Sequence, residues 1–238
     1  MIELKNINKS YDGKKNAVDE LNITIEPGQI VGFIGPNGAG KTTTLRMLTG
    51  LLTPDSGSVT INGIDIATNP IKAKQQFGFV SDDPNAFLKL KGLEYLNFIA
   101  DIYGVNSEDR LERIQRYTKL LDIDHALNNK INSYSHGMRQ KIMVIAQLIH
   151  NPNLLILDEP LTGLDPQSSF ALKELMKDRA KDNKSVFFST HVLEVAEKLC
   201  DQIIIINHGK VLYTGTLSNL KSQYDDLSLE EIFLEVTK

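Results

Sequence analysis

The chain has 238 residues, 41% of them hydrophobic and 24% charged, with a formal net charge of −4. This is an ordinary composition for a folded domain with a sizeable core, and the acidic balance speaks against a general nucleic-acid binder, which carries a basic excess. The single cysteine, Cys200, excludes an internal disulfide and fits a reducing compartment; it sits in an apolar helical pattern and is expected in the core.

In chain order, Ile2 to Tyr11 alternates apolar and polar residues as a half-exposed strand does, and Asp12-Gly13 is a turn signal. Ala17 to Glu26 gives a second strand, and Pro27-Gly28 turns the chain into the short apolar run Ile30-Val31-Gly32-Phe33-Ile34. A glycine-rich segment then leads into a helix beginning near Thr43-Thr44-Leu45. Pro54 to Gly57 is a turn, Val59-Thr60-Ile61 a strand, and Asn62-Gly63 a hairpin. From about Lys72 to Ile149 helical periodicity dominates, as in Leu93 to Ala100 and Leu111 to Leu121. Leu154 to Leu157 is an apolar buried strand, Ser168 to Lys181 a helix, and Ser185 to Phe188 and Ile203 to Ile206 are strands preceded by helical segments. Lys210 to Tyr213 is the last strand. Strands alternating with helices predict an α/β fold with a mainly parallel sheet, into which the central helical stretch is inserted.

Gly35-Pro36-Asn37-Gly38-Ala39-Gly40-Lys41-Thr42 fits the phosphate-binding pattern Gly-x-x-x-x-Gly-Lys-Thr. A strand feeding such a turn into a helix N-terminus converges backbone N–H groups on an anion, and the helix dipole favours negative charge. Gly38 and Gly40 let the backbone curl without a Cβ clash. Lys41 supplies a charge for the β- and γ-phosphates, Thr42 a hydroxyl for Mg²⁺, and Thr43 continues the cradle at the helix start. Further on, Leu154-Leu155-Ile156-Leu157-Asp158-Glu159 is an apolar strand ending in two carboxylates. Asp158 suits the Mg²⁺ shell, and Glu159, pointing elsewhere, suits orienting or deprotonating an attacking water.

These motifs, in this order, resemble the ATP-binding subunit of an ABC (ATP-binding cassette) transporter over nearly the whole chain. The resemblance implies a P-loop NTPase cassette with an antiparallel β subdomain and a helical subdomain over about 82–150, in one domain spanning 1–238. Tyr134-Ser135-His136-Gly137-Met138 corresponds to the family signature Leu-Ser-Gly-Gly-Gln, keeping Ser135 and Gly137 and departing at the other positions. Ser135 and Gly137 are thereby expected to grip ATP in trans, on a partner subunit; the plain alternative for Ser135 is an N-cap. Thr162-Gly163-Leu164-Asp165 resembles the D-loop that crosses the dimer interface, His191 the switch histidine, and Tyr11 the aromatic residue that stacks on adenine. Asp82 stands where the family has Gln or Glu, leaving two readings: a Mg²⁺ ligand, or a hinge residue without metal contact.

The resemblance further implies ATP and Mg²⁺ as cofactors, catalytic roles for Lys41, Glu159 and His191, a second cassette as homo- or heterodimer partner, and a membrane permease on a separate chain. No apolar run approaches the length of about 18 needed for a membrane span, and Met1 to Lys5 carries no signal peptide, so the expected place is cytoplasmic, on the inner face of the membrane. The aromatic residues Phe87, Tyr95, Phe98 and Tyr103 fall in the stretch expected to dock on that permease, although their helical spacing predicts that most are core. The signature run and the ending Leu229 to Leu234 resemble efflux-type cassettes. A DNA-repair ATPase of the family carries a long coiled-coil insertion and a translation factor carries two cassettes; neither pattern is present. A regulatory module that uses ATP only to dimerise is the remaining alternative, against which Glu159 and His191 speak.

Overall fold

The computed structural model describes residues 1–224 and 227–237. The first strands, β1 (Ile2–Ser10) and β2 (Asn16–Ile25), pair antiparallel and are followed by β3 (Ile30–Ile34) and helix α1 (Lys41–Leu48). β4 (Ser56–Ile61) turns into the short β5 (Ile64–Asp65) through Asn62 and Gly63, whose φ angles of 51° and 75° are those of a primed hairpin turn. A single-turn helix α2 (Pro70–Lys74) precedes β6 (Phe77–Val80). Three helices follow: α3 (Gly92–Ile102), α4 (Ser107–Leu120) and α5 (His136–Leu148). The last part alternates: β7 (Leu154–Asp158), α6 (Pro166–Lys181), β8 (Ser185–Thr190), α7 (Leu193–Leu199), β9 (Gln202–Asn207), β10 (Lys210–Gly215), α8 (Leu217–Lys221) and α9 (Leu229–Val236).

Two sheets result. One is antiparallel, in the order β2-β1-β4-β5; the other runs β10-β9-β3-β8-β7-β6, parallel except for the edge strand β10. The central parallel strands are buried on both faces, which is why they read as continuous apolar runs rather than alternating ones. Their side chains nevertheless divide by parity. Leu154, Ile156 and Phe187 face one core together with Phe33, Leu45 and the inner side of the antiparallel sheet. Leu155, Leu157 and Phe188 face the other, against residues of α3, α4, α5 and α6 such as Leu96, Ile114, Ile142 and Leu172. The sheet is thereby clamped between a β layer and a helical layer, and the C-terminal ends of β3 and β7 emerge side by side with β8 between them.

Three details differ from the sequence reading. The helical stretch beginning at Lys72 contains β6, whose four residues are too few to register against the periodicity around them. Cys200 is not inside a helix: it caps the C-terminal end of α7, half-buried, with its sulfur against Gly32, where an added Cβ would meet it at 2.6 Å. Burial pushes its thiol pKa up, so it stays protonated. Among the four aromatic residues, Tyr95 is buried and Tyr103 packs on the core, whereas Phe87 and Phe98 are 45% and 43% exposed and close over Tyr95 as a small aromatic cluster. Among the described residues no helix is long and apolar enough to cross a membrane.

Candidate active site

The turn from β3 into α1 is held by contacts that only glycine permits. At Gly35 a Cβ would lie 2.4 Å from the Ile206 carbonyl, and Gly40, at φ 110°, would place one 2.6 Å from the Ala17 carbonyl. Gly40 is the N-cap of α1, so the free N–H groups of the first helical turn face the hollow of the loop. Ala39 is buried and its carbonyl accepts from Gly209 N–H at 2.9 Å, tying the loop to the β9–β10 turn.

Lys41 folds back across this loop. Its Nζ donates to the carbonyls of Gly35 at 2.6 Å and Pro36 at 3.2 Å, and lies 3.9 Å from Glu159 Oε1. Burial lowers its pKa, while the charges of Glu159 and Asp158 oppose that shift. The adjacent Thr42 Oγ1 donates to Asp158 Oδ2 at 3.0 Å. The other carboxylate oxygen of Asp158 accepts from Ser189 Oγ, and Ser189 Oγ in turn accepts from Glu159 N–H at 3.0 Å. Burial raises the pKa of Asp158; the hydrogen bonds from Ser189 and Thr42 counter it, and nearby Asp82 and Glu159 add to it.

Glu159 leaves the strand with φ 49°, a left-handed conformation that breaks the alternation of β7 and turns its side chain away from that of Asp158. Its Oε1 reaches His191 Nδ1 at 3.0 Å. Tyr11, Pro36, Asn37, Gly38, Gly40, Lys41, Thr42 and Thr43 line one cavity of about 370 Å³ with Asp82, Asp158 and Glu159. Tyr11 stands at its mouth, 65% exposed, its hydroxyl 3.3 Å from Thr43 Oγ1.

One wall of this cavity is cationic and rich in N–H groups; the other presents carboxylates and a hydroxyl. Such a pair of surfaces fits a phosphate chain with a hard divalent cation, for which Thr42, Asp158 and Asp82 offer oxygen donors.

Ser135 and Gly137 do not line the cavity. Ser135 is the N-cap of α5, its Oγ accepting from Met138 N–H at 3.2 Å. Gly137 packs on the segment before α6, where an added Cβ would stand 2.6 Å from the Gly163 carbonyl. Buried Lys141 joins the same segment through Asp165 Oδ2 at 3.0 Å, and Asp165 caps α6 by accepting from Ser168 N–H at 2.8 Å. The hydrogen bonds from the Ser168 hydroxyl and then its N–H hold the Asp165 carboxyl well below the usual range, Lys141 adding to the effect. Sequence reasoning missed Ser189 and Lys141. The first has a signal only after pairing: the parallel register sets Asp158 opposite Ser189.

Comparison with known proteins gives the family. The ABC transporter family model matches residues 18–162. The chain belongs to the ABC transporter family. The ABC-type transporter ATP-binding protein EcsA of Bacillus subtilis is 37% identical over all of this chain and 97% of its own length. The Nod factor export ATP-binding protein I of Cupriavidus metallidurans is 35% identical over 90% of this chain and 71% of its own. A solved ATP-binding subunit of an ABC transporter superposes with a TM-score of 0.95 at 32% identity, each chain fully covered. The ATP-binding cassette MJ0796, solved as a dimer in a post-hydrolysis state with ADP and Pi, gives 0.83 at 28% identity, covering 91% of this chain and 99% of its own. The α/β architecture is that of the ABC cassettes, with a parallel-rich sheet, an antiparallel sheet and added helices.

Proposed function

We propose that this chain binds and hydrolyses ATP to drive a transporter, acting as one of two cassettes that close on nucleotide and pull on a permease carried by a separate polypeptide at the cytoplasmic face of a membrane. The observation that carries this reading is the convergence of Lys41, Thr42, Asp158 and Glu159 on one hollow, with His191 behind Glu159.

The roles follow from the contacts. Lys41, held by two carbonyls, presents its ammonium to the terminal phosphates. Thr42 and Asp158 would hold Mg²⁺, with Asp82 within the same hollow, and the ion would neutralise charge on the phosphate oxygens. Glu159 takes the proton of the attacking water, and His191 orients that carboxylate. Tyr11 supplies a flat face for the base, which gives affinity with little selectivity. Ser135 and the start of α5 lie outside this hollow but present N–H groups and a hydroxyl, which suits them to close the corresponding hollow of a second cassette. The dimeric state of a structural relative supports that arrangement.

Export is the direction we favour, because a relative named for Nod factor export is 35% identical and the signature run resembles efflux-type cassettes. The deciding test is the purified chain with ATP and Mg²⁺, read by phosphate release and by light scattering for nucleotide-dependent pairing, followed by co-purification from membranes. Absence of both hydrolysis and pairing, with and without a co-purified membrane subunit, would overturn the proposal.

A further inference from the structure

A second groove, of about 710 Å³, runs between α4 and α6, and the residues lining it are not those of the site described above. Its lining includes the cations Arg113, Arg116, Lys119, Arg179 and Lys184. Three of them are fixed largely by neutral acceptors of the connection between α5 and β7. Arg113 donates to the Ile149 carbonyl at 2.8 Å, Arg179 to the Pro152 carbonyl, and Lys184 to Asn151 Oδ1 at 2.6 Å. Arg116 lies over the ring of Tyr117, 5.5 Å from its centroid.

Among the described residues no carboxylate forms an ion pair with Arg116, Arg179 or Lys184. Arg113 is neutralised by Asp109 at 2.8 Å. Two acids on the groove wall are likewise engaged by lysines of their own helix, Asp178 by Lys181 and Glu174 by Lys177, while Asp182 offsets part of the charge of Arg179 and Lys184 without forming an ion pair. Arg179 is only 6% exposed and lines the groove; its Nε is fully covered and, like those of Arg110 and Arg139, has no hydrogen-bond partner. Like charges held near one another repel. Burial first, and then Arg179 with smaller help from Arg113 and Arg116, pushes the pKa of Lys184 down, while the charge of Asp182 opposes the shift. A phosphate group brings acceptors and further negative charge to the accessible ends of Arg116 and Lys184.

We infer that this groove binds a small di- or triphosphate-bearing molecule, with Arg116, Arg179 and Lys184 as its phosphate ligands, at a place separate from the glycine-rich loop. A ligand there would touch α4 of the helical layer and α6 behind the parallel sheet at once, and so restrain one against the other.

Inorganic pyrophosphate and ADP are the probes, titrated by calorimetry into the full chain. In Lys41→Ala, which disables the phosphate loop, saturable binding of at least one probe should remain. Adding Arg116→Ala and Lys184→Ala to that variant should weaken it by about tenfold or more, and Arg116→Lys with Lys184→Arg should restore most of it. Both side chains are at least partly exposed, so these variants should fold, which thermal unfolding checks. Tighter binding of ADP assigns the Tyr117 side of the groove to the nucleoside; equal binding confines recognition to the phosphates. No saturable binding in Lys41→Ala up to about 10 mM, a Kd range worth under 3 kcal/mol, overturns the inference, as does residual binding indifferent to the groove substitutions. Binding in the unaltered chain that Lys41→Ala abolishes and the groove variants leave intact would sink this site while sustaining the phosphate loop.

Discussion

Glu159 Oε1 sits 3.0 Å from His191 Nδ1, joining the residue after β7 to the residue after β8. A neutral imidazole has one N–H to give. Donated here to the carboxylate, it fixes the orientation of Glu159 and leaves Nε2 as an acceptor. The pair makes Glu159→Gln the sharpest test of the proposed chemistry. Nucleotide affinity should survive, while turnover should fall about 10²–10⁴-fold, the usual worth of a positioned base, and the closed dimer should accumulate. Phosphate release and size-exclusion chromatography read the two effects; normal turnover would remove the role given to Glu159.

Ser189 links both acids, donating to Asp158 and accepting from Glu159 N–H. Ser189→Ala should leave a buried carboxylate short of one donor and a half-buried N–H short of one acceptor. A loss of about 1–3 kcal/mol in urea-unfolding stability is expected, along with a higher Mg²⁺ requirement for any ATPase activity. Stability equal to that of the unaltered chain would show that neither bond matters.

At Gly40 the φ of 110° and the nearby Ala17 carbonyl leave no room for a Cβ. Gly40→Ala should cost ~1–3 kcal/mol of strain and displace the loop, so nucleotide affinity should fall more than stability does. Calorimetric titration beside a thermal melt separates the two, and retained affinity would argue that the loop does not need this conformation.

Asp82 shares the cavity with Asp158, and its charge adds to the raised pKa there. If it helps to hold the cation, Asp82→Asn should raise the Mg²⁺ concentration needed for half-maximal activity, and Asp82→Gln should differ from it through the longer reach. Superimposable Mg²⁺ titrations for all three proteins would assign Asp82 to the hinge instead.

His150 gives a pH dependence. Its ring stacks on Tyr103 with centroids 3.6 Å apart, Nε2–H donates to the Phe77 carbonyl at 3.2 Å, and Nδ1 is buried without a partner. Burial, against the raising effect of the Phe77 bond and with help from Arg179 and Arg113, lowers its pKa from 6.5 to about 4. The unfolded chain therefore binds this proton more readily than the folded one. The stabilisation is complete above pH 6.5 and is lost as pH falls toward about 4. Allowing for partial exposure, the contribution is on the order of 2 kcal/mol. His150→Gln should flatten the stability profile in that window; an unchanged profile would mean that other groups set it.

What the residues alone determined was chemistry carried by contiguous stretches. The glycine loop with Lys41 and Thr42, the apolar run into Asp158-Glu159, and the strand–helix alternation each lie within a few neighbouring positions, where backbone conformation and burial leave a direct trace. The antiparallel partner sheet and the parallel order of the core followed from a family likeness and from alternation. What only the tertiary structure decided depends on positions far apart in the chain. Ser189 became part of the site because β7 and β8 pair in parallel with Asp158 opposite it. Glu159 met His191 because a left-handed residue turned it off its strand. Lys141 reached Asp165, and five basic side chains came to line one groove, because helices pack by the direction of their faces. Strand register and helix packing are set by non-local burial, and a one-dimensional pattern carries no record of which faces meet.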